Sequence, residues 1–250
     1  MRLLEGQVAL VTGAGGGIGR GIALRFAEQG AAAVALHCRT SVEAAEEVAS
    51  RVRESGARAV VLQADLADED ACRELVREAS AWGGGLTALV NNAGVQPVRP
   101  LPGMTAGEWR EVVDTNLTSV FACTQAAAEV MAGGSVTHIA SVEAHAPAAG
   151  HAHYCASKAA VVMHARSAAL EYGPRGIRVN SVSPGLIDRE GLAEDWPDGV
   201  GRWRDKAPLG RLGSPRDIGD ACVFLASPLA SWLTGQDLVV DGGMSARPTW

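Results

Sequence analysis

The chain has 250 residues, with 22 Lys plus Arg against 28 Asp plus Glu and a formal net charge of −6. This acidic balance excludes a nucleic-acid-binding protein held mainly by phosphate contacts, because such proteins need a basic face. Hydrophobic residues make up 47% of the chain. That share supports a sizeable core and excludes an intrinsically disordered chain.

The cysteines and the N-terminal segment indicate the cellular compartment of the protein. Glu5 interrupts the N-terminus before an apolar segment can form, and no run reaches the roughly 18 apolar residues of a membrane helix. The five cysteines are odd in number and scattered, so we expect neither a disulfide framework nor a structural zinc site. We therefore expect a cytoplasmic protein with no membrane, nucleic-acid or metal partner.

Short apolar runs alternate with longer helical patterns along the chain. The runs that predict buried strands are 8–11, 33–36, 60–62, 88–90, 136–139, 177–182 and 238–240. The stretches that predict helices are 19–29, 42–55, 68–82, 107–132, 154–172 and 215–226. Strict alternation implies βαβ crossovers with helices on both faces of a parallel sheet. We predict an α/β fold: a doubly wound, seven-stranded, Rossmann-type parallel sheet in a single domain spanning 1–250.

The segment 186–214 breaks this alternation, because it is dense in Gly, Pro, Trp and charged residues. An irregular segment of this length is typical of a substrate loop or lid. Trp196 and Trp203 within it either line an apolar substrate pocket or anchor the lid to the core.

A glycine-rich turn follows the first strand and runs into a helix. Gly13, Gly17 and Gly19 give the spacing GxxxGxG. Such a turn lets the backbone approach a pyrophosphate, and the free N–H groups of the helix N-terminus face the anion. The alternative is a strand–helix turn that binds no ligand.

The end of the second strand indicates which dinucleotide is bound. An acidic residue there binds the ribose 2′-hydroxyl of NAD, whereas arginine accommodates the 2′-phosphate of NADP. The chain has Arg39, Thr40 and Ser41 at this point and no carboxylate until Glu43. We therefore expect NADP (as NADPH), with NAD still possible. The alternative is a solvated arginine before a helix that Ser41 caps.

Tyr154 and Lys158 are four residues apart, on one face of a predicted helix. A tyrosine has an ordinary pKa near 10, so proton transfer at neutral pH needs assistance. An ammonium group one turn away favours the phenolate and lowers that pKa. The same spacing also occurs on many helices as ordinary packing.

Several short motifs follow one another along the predicted sheet. They are the glycine turn, Asn91-Asn92-Ala93-Gly94 after the fourth strand, Ser141 after the fifth, and Tyr154xxxLys158. Together they resemble the short-chain dehydrogenase/reductase family, above all its 3-oxoacyl-ACP-reductase-like bacterial members. Further matches, at Asp65-Leu66, Asn116, 177–185, 234–236 and 240–243, extend the resemblance over essentially the whole chain.

The resemblance implies four catalytic residues. Tyr154 is the general acid or base, and Lys158 lowers its pKa and binds the nicotinamide ribose. Ser141 binds the substrate oxygen, and Asn116 holds a water that relays protons through Lys158. Alternatively, Ser141 bonds its own backbone at a strand end and Asn116 satisfies a kinked helix.

The resemblance also implies the residues that contact the cofactor. They are Gly13, Gly15, Gly17, Ile18, Gly19, Arg39, Thr40, Ser41, Asp65, Leu66, Asn92, Ala93, Gly94, Tyr154, Lys158, Pro184, Gly185 and Ile187. Two positions depart from the family pattern. Arg189 stands where a threonine usually contacts the cofactor, and Gly16 stands where many NADP-preferring members have a basic residue.

These residues predict an NADP(H)-dependent oxidoreductase that transfers a hydride between nicotinamide and a ketone or secondary alcohol. The alternatives are an NAD-dependent alcohol dehydrogenase of the same family, a non-catalytic NADP-sensing regulator, and an isomerase or dehydratase on the same scaffold. The partner is a small-molecule carbonyl or alcohol substrate. A homotetramer is implied by the resemblance alone.

Overall fold

The computed structural model describes residues 2–246 as a parallel sheet covered by helices on both faces. The strands are β1 (Val8–Val11), β2 (Ala33–Cys38), β3 (Arg58–Gln63), β4 (Ala88–Asn91), β5 (Gly134–Ile139), β6 (Ile177–Pro184) and β7 (Asp237–Val240). The helices are α1 (Gly17–Glu28), α2 (Val42–Glu54), α3 (Glu69–Gly83), α4 (Ala106–Val113), α5 (Ser119–Val130), α6 (Ala152–Tyr172), α7 (Leu192–Asp195), α8 (Pro197–Lys206) and α9 (Pro215–Ala226). The seven strands lie in the order β3-β2-β1-β4-β5-β6-β7, and every neighbouring pair is parallel. The predicted fold class is confirmed.

Two apolar layers hold the sheet between its helices. On one face, α1, α2 and α9 pack around Ile22, Phe26 and Ile218, which are all fully buried. On the other face, α3, α5 and α6 pack around residues such as Leu75 and Ile177. The central strands are covered on both sides, which explains why their sequences are continuous apolar runs.

The sheet reverses its direction of growth at β1, which pairs with β2 on one side and β4 on the other. Crossovers leave the sheet on opposite faces at such a point, so a crevice opens at the carboxyl ends of these strands. The functional side chains predicted from the sequence cluster at this edge.

The predicted helical stretch 107–132 is helical without a break from 106 to 130, but it is not a regular α-helix throughout. Helix α4 ends at Val113, a π-helical segment (Asp114–Thr118) follows, and α5 begins at Ser119. The Asn116 amide in this segment exchanges two hydrogen bonds with the backbone of Val95, at 2.8 and 2.9 Å. Because a π turn holds one extra residue, it directs Asn116 toward that loop without ending the helical path.

The segment 186–214 is more regular than its composition predicts, since it contains α7 and α8. Pro197 occupies the first turn of α8, where a missing N–H costs nothing. Trp203 packs with Leu192 and Leu212 in a small apolar cluster, whereas Trp196 is 49% exposed. Trp203 thus anchors the segment, and its role as a lid stays a prediction.

No helix in the described range, 2–246, is long and apolar enough to cross a bilayer.

Candidate active site

A cavity of about 380 Å³ opens at the carboxyl ends of β1 to β4. Predicted cofactor residues on its wall are Gly13, Gly15, Arg39, Thr40, Ser41, Asp65, Leu66, Ala93 and Gly94. The sequence reasoning missed Gly16, His37, Cys38, Ala44, Val95 and Thr115, which also line it. The wall therefore combines the glycine turn with the ends of four neighbouring strands.

The glycine turn presents open backbone toward the cavity. Gly13 and Gly17 have φ of +65° and +49°, a conformation that side chains disfavour. Nothing lies within 4 Å of a Cβ built at Gly16 or Gly17. The N–H groups of Gly15 and Gly16 have no backbone partner within the described residues. These observations fit a pyrophosphate at the start of α1.

Thr12 and Asn92 join the turn to the end of β4. The Thr12 Oγ1 atom accepts hydrogen bonds from the backbone N–H groups of Asn92, at 2.9 Å, and Ala93, at 3.0 Å. The Asn92 amide donates in return to the carbonyl oxygens of Thr12, at 2.8 Å, and Gly13, at 3.1 Å. Asn92 therefore braces the turn, and it does not lie on the cavity wall.

His37 is a second brace that the sequence reasoning did not single out. Its Nδ1 atom accepts from the N–H of Gly13 at 3.1 Å, and its Nε2 atom lies 3.1 Å from the carbonyl oxygen of Ala64. Those bonds require a neutral ring with the proton on Nε2. Burial lowers the pKa of His37 and so favours this neutral form. The one signal in the sequence was a polar residue inside an apolar strand.

The end of the cavity next to β2 contains groups suited to a phosphate. The backbone oxygen of Arg39 accepts a bond from Gln63, while its guanidinium has no hydrogen-bonding partner among residues 2–246. Ser41 precedes α2 but makes no side-chain capping bond, so the capping alternative is not observed. Both side chains, with Thr40, line the cavity.

The remaining predicted cofactor residues lie outside this cavity wall. They are Gly17, Ile18, Gly19, Asn92, Tyr154, Lys158, Pro184, Gly185 and Ile187. A Cβ on Gly19 would meet the carbonyl oxygen of Gly13 at 2.1 Å, so Gly19 permits the close turn. Ile18 and Ile187 pack against the core. The Trp203 ring packs against Gly185. Their contact with a cofactor stays a prediction.

Gly94 connects the cavity to the predicted catalytic residues. A Cβ at Gly94 would lie 3.1 Å from Asn116 Oδ1 and 3.6 Å from Lys158 Nζ. The Lys158 ammonium is buried, donates to the carbonyl oxygen of Ile139 at 2.7 Å, and lies 5.6 Å from the centre of the Tyr154 ring. Since the Ser141 hydroxyl also interacts with Tyr154, the four predicted catalytic residues converge beside the cavity.

Ser141 and Asn116 both make the local hydrogen bonds that a purely structural role would give them. Ser141 Oγ accepts from the backbone N–H of Glu143 at 3.1 Å, which leaves the hydroxyl proton free to donate. Besides its bonds to Val95, the Asn116 amide donates to Ser157 Oγ at 3.3 Å. Its two protons are thus used, and one lone pair of Oδ1 remains.

Known proteins match this chain over nearly its full length. A family model described as enoyl-(acyl carrier protein) reductase matches residues 13–245. The 3-oxoacyl-[acyl-carrier-protein] reductase of Staphylococcus aureus is 39% identical over 242 residues, covering 94% of this chain and 97% of its own. The chain belongs to the short-chain dehydrogenase/reductase family. It is an oxidoreductase that acts on CH–OH groups.

Solved structures of this family agree in shape with the chain. A short-chain type dehydrogenase/reductase from Mycobacterium marinum has a TM-score of 0.90 and 39% identity, covering 98% of this chain and 97% of its own. A blue fluorescent protein from a metagenomic library, solved in complex with NADPH, has a TM-score of 0.90 and 35% identity, covering 97% of this chain and 99% of its own.

Arg189, which departs from the family pattern, lies beside a second cavity of about 790 Å³ near α1. It forms a salt bridge with Asp195 at 2.8 Å and donates to the carbonyl oxygen of Glu190. Gly16 and Gly17 border this cavity too, so Arg189 and the glycine turn line one cavity.

The electrostatics of Tyr154 correct the expectation that its pKa is lowered. Burial raises the pKa of Tyr154 to about 12, against the opposing effect of the Ser141 hydroxyl, and the Glu143 carboxylate raises it further. Burial also lowers the pKa of Lys158 to about 8. The phenol is therefore protonated at neutral pH, which suits a proton donor.

The ionisation of Tyr154 can be measured directly, because the chain has two tyrosines, Tyr154 and Tyr172. In a Tyr172→Phe variant, we expect tyrosinate absorbance after a rapid pH jump to show a midpoint of about 12. Tyr154→Phe serves as the control, since its signal then comes from Tyr172. A midpoint below 10, the ordinary value, would contradict the effect of burial.

Proposed function

We propose that this enzyme is an NADP(H)-dependent carbonyl reductase, or in reverse an alcohol dehydrogenase, with Tyr154 as general acid and base. The observation that carries the proposal is the meeting of Tyr154, Ser141 and the buried Lys158 beside the cavity at the ends of β1 to β4, where Gly94 lies next to Lys158. A proton donor and a second hydroxyl donor next to a hydride source are the groups that carbonyl reduction requires.

The protein supplies protons and hydrogen bonds to the reacting oxygen. NADPH, when bound, supplies a hydride to the carbonyl carbon. Ser141 donates its free hydroxyl proton to the carbonyl oxygen and stabilises the charge that develops there. Tyr154, protonated at neutral pH, gives its proton to the same oxygen. Alcohol oxidation reverses both transfers.

Lys158 and Asn116 support the tyrosine. The Lys158 ammonium stabilises the phenolate left after proton transfer, because a positive charge 5.6 Å from the ring favours the charged form. With a pKa of about 8, Lys158 can also exchange a proton near neutral pH. The remaining lone pair of Asn116 Oδ1 can accept from a water that links Lys158 to bulk solvent.

Replacing the catalytic phenol should separate catalysis from cofactor binding. We expect Tyr154→Phe to lower kcat for ketone reduction by about a hundredfold to ten-thousandfold, as for a lost general acid. Binding of NADPH should persist. The matched control is Tyr172→Phe, at the C-terminus of the same helix, which should keep full turnover. Wild-type rates in Tyr154→Phe, measured by NADPH absorbance with a ketone panel, would refute the mechanism.

The preference for NADP rests on Arg39. Arg39 lines the cavity beside Thr40 and Ser41, and its guanidinium is free of protein partners among the described residues. A planar guanidinium pairs well with a phosphate dianion. Two comparisons support a preference for NADP. One is the similarity to a 3-oxoacyl-[acyl-carrier-protein] reductase, and the other is the NADPH complex of a structural neighbour.

Removing this guanidinium should weaken NADPH selectively. We expect Arg39→Ala to lower NADPH affinity about tenfold or more, the value of a charged hydrogen bond, and to leave NADH affinity unchanged. Arg53→Ala is the control, because Arg53 pairs with Glu46 on α2, away from the cavity wall. Fluorescence titration measures the affinities of the wild-type enzyme and of both variants for NADPH and for NADH. Equal or tighter binding of NADH by the wild-type enzyme would overturn the assignment.

We also propose that the enzyme is a homotetramer. Two separate faces expose large apolar side chains: Phe121, Met163 and Leu170 on α5 and α6, and Leu229, Trp232, Leu238 and Val239 at the β7 edge. Trp232 is 97% exposed. Two faces, each pairing with itself in a second copy, build a closed tetramer.

Each face can be disrupted separately. We expect light scattering to give a tetramer for the wild-type enzyme, and dimers for Leu170→Glu and for Trp232→Glu, because a buried charge opposes association. Leu101→Glu changes an exposed leucine outside both faces and should remain tetrameric. A monomeric wild-type enzyme at micromolar concentration would exclude this assembly.

A further inference from the structure

Three polar side chains meet beside Tyr154 without a part in the proposed proton transfer. Glu143 lies in the 3₁₀ turn after β5, His151 precedes α6, and Gln96 lies in the loop after β4. His151 Nδ1 lies 2.9 Å from Glu143 Oε2, and Gln96 Nε2 donates to Glu143 Oε1 at 3.0 Å. We refer to Gln96, Glu143 and His151 as the polar cluster.

The polar cluster lies next to the reacting groups. The rings of His151 and Tyr154 are 6.2 Å apart and edge-to-face. The backbone N–H of Glu143 donates to Ser141 Oγ, so Glu143 and the predicted oxyanion donor share one turn. The side chains of Glu143 and His151 are 19% and 18% exposed. A substrate whose carbonyl oxygen contacts Ser141 and Tyr154 therefore lies beside this cluster.

The hydrogen bonds of the polar cluster fix which atom can meet a substrate. Glu143 accepts from Gln96 on Oε1, and from His151 and the Cys155 thiol on Oε2, the latter at 3.5 Å. A carboxylate is an acceptor, so His151 carries a proton on Nδ1. Gln96 Nε2 lies 3.3 Å from this Nδ1, but both groups are donors in this tautomer, so the bond of Gln96 is the one to Glu143. In the neutral ring Nε2 is then an acceptor, and it has no partner within the described part of the chain.

We propose that the polar cluster selects carbonyl substrates that carry a hydroxyl group within a few bonds of the reacting carbonyl. His151 Nε2 accepts the proton of that hydroxyl, Glu143 holds the ring in the required tautomer, and Gln96 orients Glu143. An acyl thioester has a second carbonyl at this place, which only accepts hydrogen bonds and leaves Nε2 without a donor. The proposal rests on the proposed function, and the corresponding substrate of oxidation is a diol.

Hydroxyacetone and butanone test the proposal, because a hydroxyl group replaces a methyl group of the same size. We expect the ratio of their kcat/KM values to fall about tenfold in His151→Phe, which keeps a ring of similar size without an acceptor. The comparison is between ratios, so the different intrinsic reactivities of the two ketones cancel. His151→Gln, which keeps an acceptor, should give an intermediate ratio.

Two further variants separate selection from structure. Glu143→Gln should raise KM for hydroxyacetone more than it changes kcat, since Glu143 acts by positioning His151. His145→Phe is the matched control: His145 pairs with Asp237 at 2.7 Å, outside the cluster, and its ratio should equal that of the wild type. Circular dichroism checks that each variant folds.

The outcomes distinguish this proposal from the proposed function. A wild-type ratio that persists in both His151→Phe and His151→Gln would overturn the role of the cluster while leaving carbonyl reduction in place. If the wild-type enzyme consumed NADPH with neither ketone nor with a wider carbonyl panel, the proposed function would fail and this inference with it.

Discussion

The bonds between Thr12 and Asn92 are the constraint on which the nucleotide end of the structure depends. They lock the carboxyl ends of β1 and β4 together at the point where the sheet changes direction. Asn92 then holds the carbonyl oxygen of Gly13, while His37 holds its N–H. With both polar groups of Gly13 satisfied by protein and the N–H of Ala14 bonded to His37, the N–H groups of Gly15 and Gly16 are the ones left in the described turn to face a ligand.

A second constraint governs the catalytic end, where Lys158 is buried. Placing an ammonium in the interior is expensive, and its bond to Ile139 satisfies one of its three protons. The lowered pKa of Lys158, about 8, records that cost. The arrangement therefore does not serve stability. It holds a charge within reach of Tyr154 and the cavity, and Gly94 makes this possible because a side chain there would press on Asn116.

The sequence predicted what depends on local pattern and could not predict what depends on distant contacts. Apolar runs identified every strand, and the glycine spacing identified the turn. The sequence did not predict the π segment, because the apolar periodicity continues through it. The bond that stabilises it joins Asn116 to Val95, which is 21 positions away. The sequence did not predict the direction of the Tyr154 pKa shift for a related reason. Spacing gives the distance to Lys158, but burial, which dominates, is a property of the folded pocket.

The site divides into parts with different origins in the chain. Tyr154 and Lys158 stand on one rigid helix, where their separation is fixed by helical geometry. The polar cluster is assembled from three connections that follow β4, follow β5 and precede α6. Loops of this kind can change without disturbing the sheet, because they contribute few core contacts. Selectivity in this enzyme is therefore free to vary while the proton donor stays in place. This separation explains why motif spacing predicts the reaction class, whereas the proposed substrate class rests on contacts in the folded chain, such as that between Glu143 and His151.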